Sequence, residues 1–341
     1  MLKRILASVA AVSVMAFSSA AWSQGKDIRW ATGPIGSSGH KALVVLADLL
    51  NKEMPEYRIA VLPTPGAVTT VKGFATGEYD GTYASELAFH ELATDSGRMK
   101  GFKAEMKHQP VQSFWSYTLE TGLAIHARDK DKIKKWADLS GKRVYTGPLP
   151  FDTRLHIERA LAALGVKHTY VQVDLSTVGS QLQSGSIQGT IIYTSAEVSP
   201  VPWLTEAGLA ADWAVLNPSP DEIATLKSKN FSILEIKPET FKRDVHVDKV
   251  VLSPFYWSFN VGLGMPEADV YKMLTIIEKN KDALAKADQS FLQVAKNMPD
   301  MQRRGVTSSA DYVPIHPGLA KYMREKGVWD AKWNTKVAAA K

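Results

Sequence analysis

Apolar positions in this chain fall into short runs of strand length separated by stretches with helical spacing, and the alternation occurs twice. Residues 28–31 are one such run, after which Leu43, Leu46, Ala47 and Leu50 mark a single face of a helix. Residues 57–62 predict a second strand, ended by Pro63-Thr64-Pro65-Gly66. A helix over 67–75 then stops near Gly77, and 79–84 is a third strand. The order strand, helix, strand, helix, strand predicts a parallel sheet with right-handed crossovers. From Arg143 the plan repeats. Residues 143–146 are a strand, and 153–164 a helix with Ile157, Ala160, Leu161 and Leu164 on one face and Gly165 at its C-cap. A strand over 170–175, a short helix over 177–183 and a strand over 187–193 follow, and 267–287 and 318–326 read as helical.

The two halves also share a pattern. Thr32-Gly33-Pro34 and Thr146-Gly147-Pro148 each end an apolar run, and Gly-x-x-x-Gly-Thr follows at Gly77 and again at Gly185. Two similar α/β lobes facing each other would enclose a cleft, the usual place for a small ligand. Phe114-Trp115-Ser116-Tyr117 and Phe255-Tyr256-Trp257-Ser258-Phe259 are either paired connections between lobes or two ordinary aromatic strands. Taken as connections, they divide the chain into one lobe of 24–117 with 260–341 and another of 118–259, with crossings near 114–123 and 250–262.

Candidate chemistry concentrates where helices begin. Gly33-x-x-Gly36-x-x-Gly39 opens a helix after a strand, where backbone N–H groups and the helix dipole favour an anion. Its spacing is neither that of a dinucleotide fingerprint nor that of a nucleotide P-loop. Pro65-Gly66-Ala67 and the segment 146–153 occupy equivalent places, and three such N-termini converging on a cleft would suit a carboxylate. The expected ligand wall is therefore Thr32, Gly33, Ile35, Gly36 and Ser37, then Pro65, Gly66 and Ala67, then Thr146, Phe151, Asp152, Thr153 and Arg154, with Ser85, Tyr193 and Ser195 completing it. Arg154 either grips a carboxylate in a two-pronged pair or pairs with Glu158 four residues on. Asp152 is expected to be the helix N-cap; facing the cleft instead, it would favour an ammonium group.

The ends and the composition narrow the field. Lys3 and Arg4 precede an uncharged run to Phe17, and Ala21-Trp22-Ser23 resembles a small-x-small cleavage site, so 1–23 reads as a secretory signal peptide with the mature chain starting at Gln24. Export to the periplasm is the expectation. No cysteine stands at the cleavage site to carry a lipid, and the complete lack of cysteine leaves a large core as the source of stability. Losing Lys3 and Arg4 lowers the formal charge from +6 to +4, dispersed rather than gathered into the basic stripe that nucleic acid would need. No nucleophile elbow, zinc helix or paired histidines occur; Ser37, Ser38 and His40 are only local neighbours, and Met265 and Met273 read as core. No catalysis, metal or cofactor is expected.

Several segments together resemble the TAXI family, the extracytoplasmic solute receptors of TRAP transporters. They are Gly141-Lys142-Arg143-Val144 through Thr153-Arg154, Gly77 to Asp80, Asp269-Val270-Tyr271, and Pro314-Ile315-His316-Pro317-Gly318 with Lys321-Tyr322. The resemblance implies a type II periplasmic-binding-protein fold, two α/β lobes joined by hinge strands, and delivery of a bound solute to TRAP-type permease subunits driven by an ion gradient. It also implies ligands of the glutamate-like amino acid or 2-oxoacid class. Pro150-Phe151-Asp152-Thr153 departs from the family's Gly-Ser-Gly-Thr and puts the ligand in question. The expected protein is a monomeric receptor for a small carboxylate-bearing solute: a glutamate-like amino acid, a 2-oxoacid or a dicarboxylate. A sensor subunit presenting the solute to a membrane receptor and an exported enzyme on the same fold are the alternatives.

Overall fold

The computed structural model describes residues 25–339; the expected signal peptide and its cleavage site lie outside the described residues. The first half-plan is β1 (Lys26–Thr32), α1 (Ser38–Glu53), β2 (Tyr57–Pro63), α2 (Ala67–Thr76), β3 (Gly81–Ser85) and α3 (Glu86–Ala93). A long strand, β4 (Trp115–His126), leads into β5 (Arg143–Tyr145), α4 (Asp152–Ala163), β6 (Thr169–Tyr170), α5 (Val178–Ser184) and β7 (Gly189–Ser195). Then come β8 (Ser199–Pro200), α6 (Pro202–Ala210), β9 (Trp213–Leu216), α7 (Pro220–Ser228) and β10 (Leu234–Ile236). A second long strand, β11 (Val250–Val261), returns to α8 (Glu267–Lys279), α9 (Lys281–Ala287), α10 (Leu292–Ser309) and α11 (Pro317–Glu325).

The strands lie in the order β2-β1-β3-β11-β4-β7-β5-β6. β1 runs parallel to β2 and β3, and β5 runs parallel to β6 and β7, as two βαβ plans require. Between these parallel groups stand β4 and β11, antiparallel to each other with Trp257 opposite Tyr117 and Phe255 opposite Leu119. One hydrophobic core draws on 28–119 and 255–333 together with Ala196, the other on residues between 123 and 252. β4 passes from the first core at Leu119 to the second at Leu123, and β11 returns from Leu252 to Phe255. The aromatic runs themselves lie in the first core, on the two strands that pass between the cores. Together the two lobes and their shared strand pair make an α/β fold of the type II periplasmic-binding-protein kind.

All twelve residues of β4 are buried, polar ones included, so each polar group needs a partner inside the protein. α10 supplies several. Gln302 accepts from Trp115 N at 2.8 Å and donates to Trp115 O at 2.7 Å, acting in place of a neighbouring strand beside the bulge at Trp257/Ser258. Gln293 accepts from Thr118 N at 2.8 Å. Pro299 hides this helix from a periodicity reading: the backbone leaves helical geometry at Asn297, whose side chain then accepts from Asp300 N at 3.0 Å and restarts it.

Other expectations shift in detail. The strand expected over 170–175 pairs only at Thr169–Tyr170 and gives way to a 3-10 turn at Leu175–Thr177. The helix expected over 267–287 breaks at Asn280 into α8 and α9. Gly165 carries the left-handed conformation one residue beyond the cap, Leu164. Met265 and Met273 are core. His316, in the His-Pro-Gly segment, caps α11: its Nδ1 accepts from Gly318 N at 3.1 Å, which leaves Nε2–H to donate to Met265 O at 3.0 Å.

Glu120 sits midway along β4, fully buried, with Thr118, Thr194 (2.6 Å) and the Glu197 backbone N–H (2.9 Å) on its oxygens. Burial pushes its carboxyl up to about 8, well above the usual carboxylate range. Between the unfolded value near 4.5 and 8, the native chain keeps a proton that the unfolded chain releases, so this group lowers native stability as pH rises. Glu120→Gln mimics the protonated form. Its stability relative to the parent should therefore increase with pH by up to about 1.4 kcal/mol per unit over that window, read from urea unfolding at several pH values.

Candidate functional site

Three helices begin at the groove between the lobes, as the repeated pattern requires. α1 is capped by Ser37, whose hydroxyl accepts from His40 N at 3.2 Å. α2 starts at Gly66 and α4 at Phe151, neither with a side-chain cap, so their leading N–H groups remain available. Gly66 has φ +149°, a conformation open to glycine, and Gly39 lets the Tyr83 ring lie against α1 where a Cβ would collide. These starts enclose a cavity of about 380 Å³ whose lining comes from both cores.

Gly33, Gly36, Ser37, Pro65, Gly66 and Ala67 line it from one lobe, and Phe151, Asp152, Thr153 and Tyr193 from the other. Six expected wall residues lie elsewhere. Ile35 is exposed, and Thr32 and Ser195 are buried beside the cavity rather than in its wall. Ser85 caps α3 and donates to Asp152. Thr146 donates to Glu158 at 2.5 Å. Arg154 pairs with Glu158 at 3.4 Å and lies over the Tyr170 ring at 4.1 Å, so it turns away from the cavity. Of its two possible roles, the structure shows the intrahelical pair.

Asp152 is not the N-cap of α4 either. It is the first helical residue, and its buried carboxylate takes Ser85 and Arg98 from the facing lobe. Arg98 sits on a 3-10 turn (Gly97–Met99), pairs with Glu91 at 2.6 Å and donates to Pro150 O at 2.9 Å. Burial disfavours its charge, but the carboxylates of Asp152 and Glu91 outweigh that and hold its pKa above the ordinary value. Glu91, Arg98 and Asp152 form an ion bridge between the lobes. No motif marks Arg98; only the fold brings it to Asp152.

The floor is aromatic. Tyr83 stacks on Trp257 with centroids 4.4 Å apart, and the Tyr83 and Tyr117 hydroxyls are 2.5 Å apart. Burial raises both phenols, which stay protonated. On the other wall Trp203 donates to the Tyr193 hydroxyl at 3.0 Å. Two buried polar atoms of the lining, Trp257 Nε1 and Thr153 Oγ1, have no partner in the protein. Tyr83, Tyr117, Trp203 and Trp257 were missing from the expected wall. Trp257 and Tyr117 were visible as crossing-run residues, but only strand register turns them toward the cavity.

A two-lobed α/β protein with an aromatic cleft at its crossing strands is the class that these features define. The chain belongs to the NMT1-like family, whose model matches residues 30–327. No curated protein matches it in sequence. Solved structures that overlay on it include the periplasmic aliphatic sulphonate binding protein SsuA from Escherichia coli, at 14% identity over 92% of this chain and 97% of that one, TM-score 0.44. A putative sulfonate-binding SsuA from Methylobacillus flagellatus overlays at 13% identity over 93% and 99%, TM-score 0.49. A putative L-cystine ABC transporter protein from Listeria monocytogenes does so at 13% identity over 84% and 98%, TM-score 0.41. Among the described residues no helix is long and apolar enough to cross a membrane.

The placement of the two arginines is open to test. Arg98→Ala strands the buried Asp152 carboxylate and is expected to cost about 3 kcal/mol or more of unfolding free energy. Arg154→Ala loses a partly exposed intrahelical pair and a ring contact and is expected to cost less than about 1 kcal/mol. Denaturant unfolding of the two variants checks the contrast.

Proposed function

We propose that this protein is an extracytoplasmic solute receptor, holding one small carboxylate-bearing solute between its lobes and presenting it to a membrane transporter. The observation that carries this reading is the pair of unpartnered buried groups, Trp257 Nε1 and Thr153 Oγ1, on residues that line a cavity walled by both cores. An indole N–H can only donate, so its complement is an acceptor oxygen. The uncapped starts of α2 and α4 add backbone donors and the positive end of the helix dipole. The Asp152 carboxylate is taken up by Ser85 and Arg98.

In this reading 24–117 with 260–341 moves as one body and 118–259 as the other, closing about β4 and β11. The receptor is periplasmic, acts as a monomer and catalyses no reaction. The finer assignment follows the TAXI resemblance carried by the 141–154, 269–271 and 314–322 segments: glutamate-like amino acids, 2-oxoacids or dicarboxylates as solutes, and a TRAP-type permease as partner. Membership of the NMT1-like family is compatible with it.

The test is a titration of the mature chain with glutamate, 2-oxoglutarate and succinate, with an alkanesulfonate as the competing class. One of the carboxylates should bind one to one, raise the melting temperature, change tryptophan fluorescence and compact the particle in scattering. Trp257→Phe should weaken that binding about tenfold, the worth of one buried hydrogen bond to a charged group. A failure of all carboxylates, or tight binding with an unchanged scattering profile, overturns the reading. Uptake into permease-bearing vesicles that an ionophore abolishes and ATP depletion spares would support the TRAP partner.

A further inference from the structure

Side chains alternate along a strand, so β11 serves two cavities. Trp257 faces the aromatic cleft, while Pro254 and Tyr256 line a larger cavity of about 920 Å³ on the opposite face of the crossing strands. Its walls also come from both sides of the molecule: α3 and α10 from the first core, α4 and the 229–232 loop from the second.

The lining is strongly basic. Arg159, Lys229, Arg303, Arg304, Lys332 and Lys336 stand against only Glu86 and Asp311. Four of these cations have acidic neighbours: Arg303 and Arg304 lean on Asp300 at 2.6 and 3.1 Å, and Lys332 on Asp330 and Lys336 on Asp311 at 3.0 Å each. Arg159 and Lys229 take part in no ion pair among the described residues, and the Arg159 guanidinium lies 6.0 Å from the centre of the Phe231 ring. Burial pushes Glu86 up to about 7, against hydrogen bonds from Ser308 and the Tyr256 backbone and the pull of Arg159, which weakens one of the two carboxylates in the lining.

His156 gives the cavity a directional group. It is 3% exposed, and its Nε2 lies 2.9 Å from Ser253 Oγ. That hydroxyl donates its one hydrogen to Ser232 O at 2.9 Å, so it must accept from Nε2–H. The neutral ring then presents Nδ1 as a lone pair, buried and without a partner in the protein. Burial, reinforced by Arg159, holds the ring well below the usual histidine range, at about 3, so Nδ1 stays an acceptor at neutral pH.

We propose that this rear cavity is a second binding site, for an oxyanion that carries both ionised oxygens and an O–H group. The ionised oxygens meet Arg159 and Lys229, and the O–H donates to His156 Nδ1. Hydrogen phosphate has both features at neutral pH. Sulfate has the same charge and nearly the same shape but no hydrogen to give, so the site should tell the two apart.

The experiment is calorimetric titration of the mature protein with inorganic phosphate and, separately, with sulfate, in low-chloride buffer at pH 7. Phosphate should bind once per chain and sulfate at least about tenfold more weakly, since its oxygen would face the Nδ1 lone pair. Arg159→Gln should weaken phosphate about tenfold or more. Exposed Lys229→Gln, which leaves the core untouched, should weaken it about threefold. Both variants should leave carboxylate binding at the aromatic cleft unchanged. Sulfate binding as well as phosphate, phosphate binding indifferent to both substitutions, or no phosphate heat at 10 mM overturns the proposal. Phosphate binding that depends on Arg159 in a chain that takes no carboxylate supports this site and counts against the receptor reading instead.

Discussion

The structure depends on two twelve-residue strands that belong to both lobes at once. β4 and β11 are buried along their whole length, so their backbone and polar side chains cannot fall back on water. Their neighbours meet that demand from both sides: β3 and β7 by ladder hydrogen bonds, and α10 by the amides of Gln293 and Gln302. Because α10 grips the end of β4 nearest the first core, that end is fixed to one lobe. Any relative rotation of the lobes is thereby confined to the middle of the pair. Glu120 lies there, held neutral by burial among hydroxyl and amide partners.

Everything with chemical character is arranged around this pair. The odd-numbered face of its central residues, Tyr117, Leu119 and Trp257, floors an aromatic cleft; the even-numbered face, Pro254 and Tyr256, closes a basic cavity behind it. α4 runs beside the crossing, placing Asp152 in front and His156 and Arg159 behind. Opening the front would separate Arg98 from Asp152, so the charge bridge opposes opening while aromatic contact with a solute would favour closure.

Much of the fold was legible in the sequence because it depends on local rules. Leu43, Leu46, Ala47 and Leu50 are all buried on α1, and the order β1-α1-β2-α2-β3 and its repeat β5-α4-β6-α5-β7 follow from periodicity and glycine punctuation. The failures have local causes too. Pro299 broke the apparent period of α10, and 172–175 has the composition of a strand without a neighbouring strand to pair with. The His-Pro-Gly segment was recognisable as a motif, yet its role is architectural, since His316 spends both nitrogens on capping α11 and tying it to Met265.

The sequence by itself determined where α2 and α4 begin to within a residue and which glycines stand at the first helix starts, because left-handed turns and apolar spacing act over a few residues. It therefore found the cleft-facing segments around Gly36, Gly66 and Thr153. It could not determine which way Arg154 and Asp152 turn, since that is a competition between partners on the same helix and partners dozens of residues away. Glu158 won the first, four residues along, and Arg98 won the second, 54 residues back in the chain. Nor could it place Tyr83, Tyr117 and Trp257 in one stack. That depends on strand register, and a shift of one residue would have turned each ring to the opposite face.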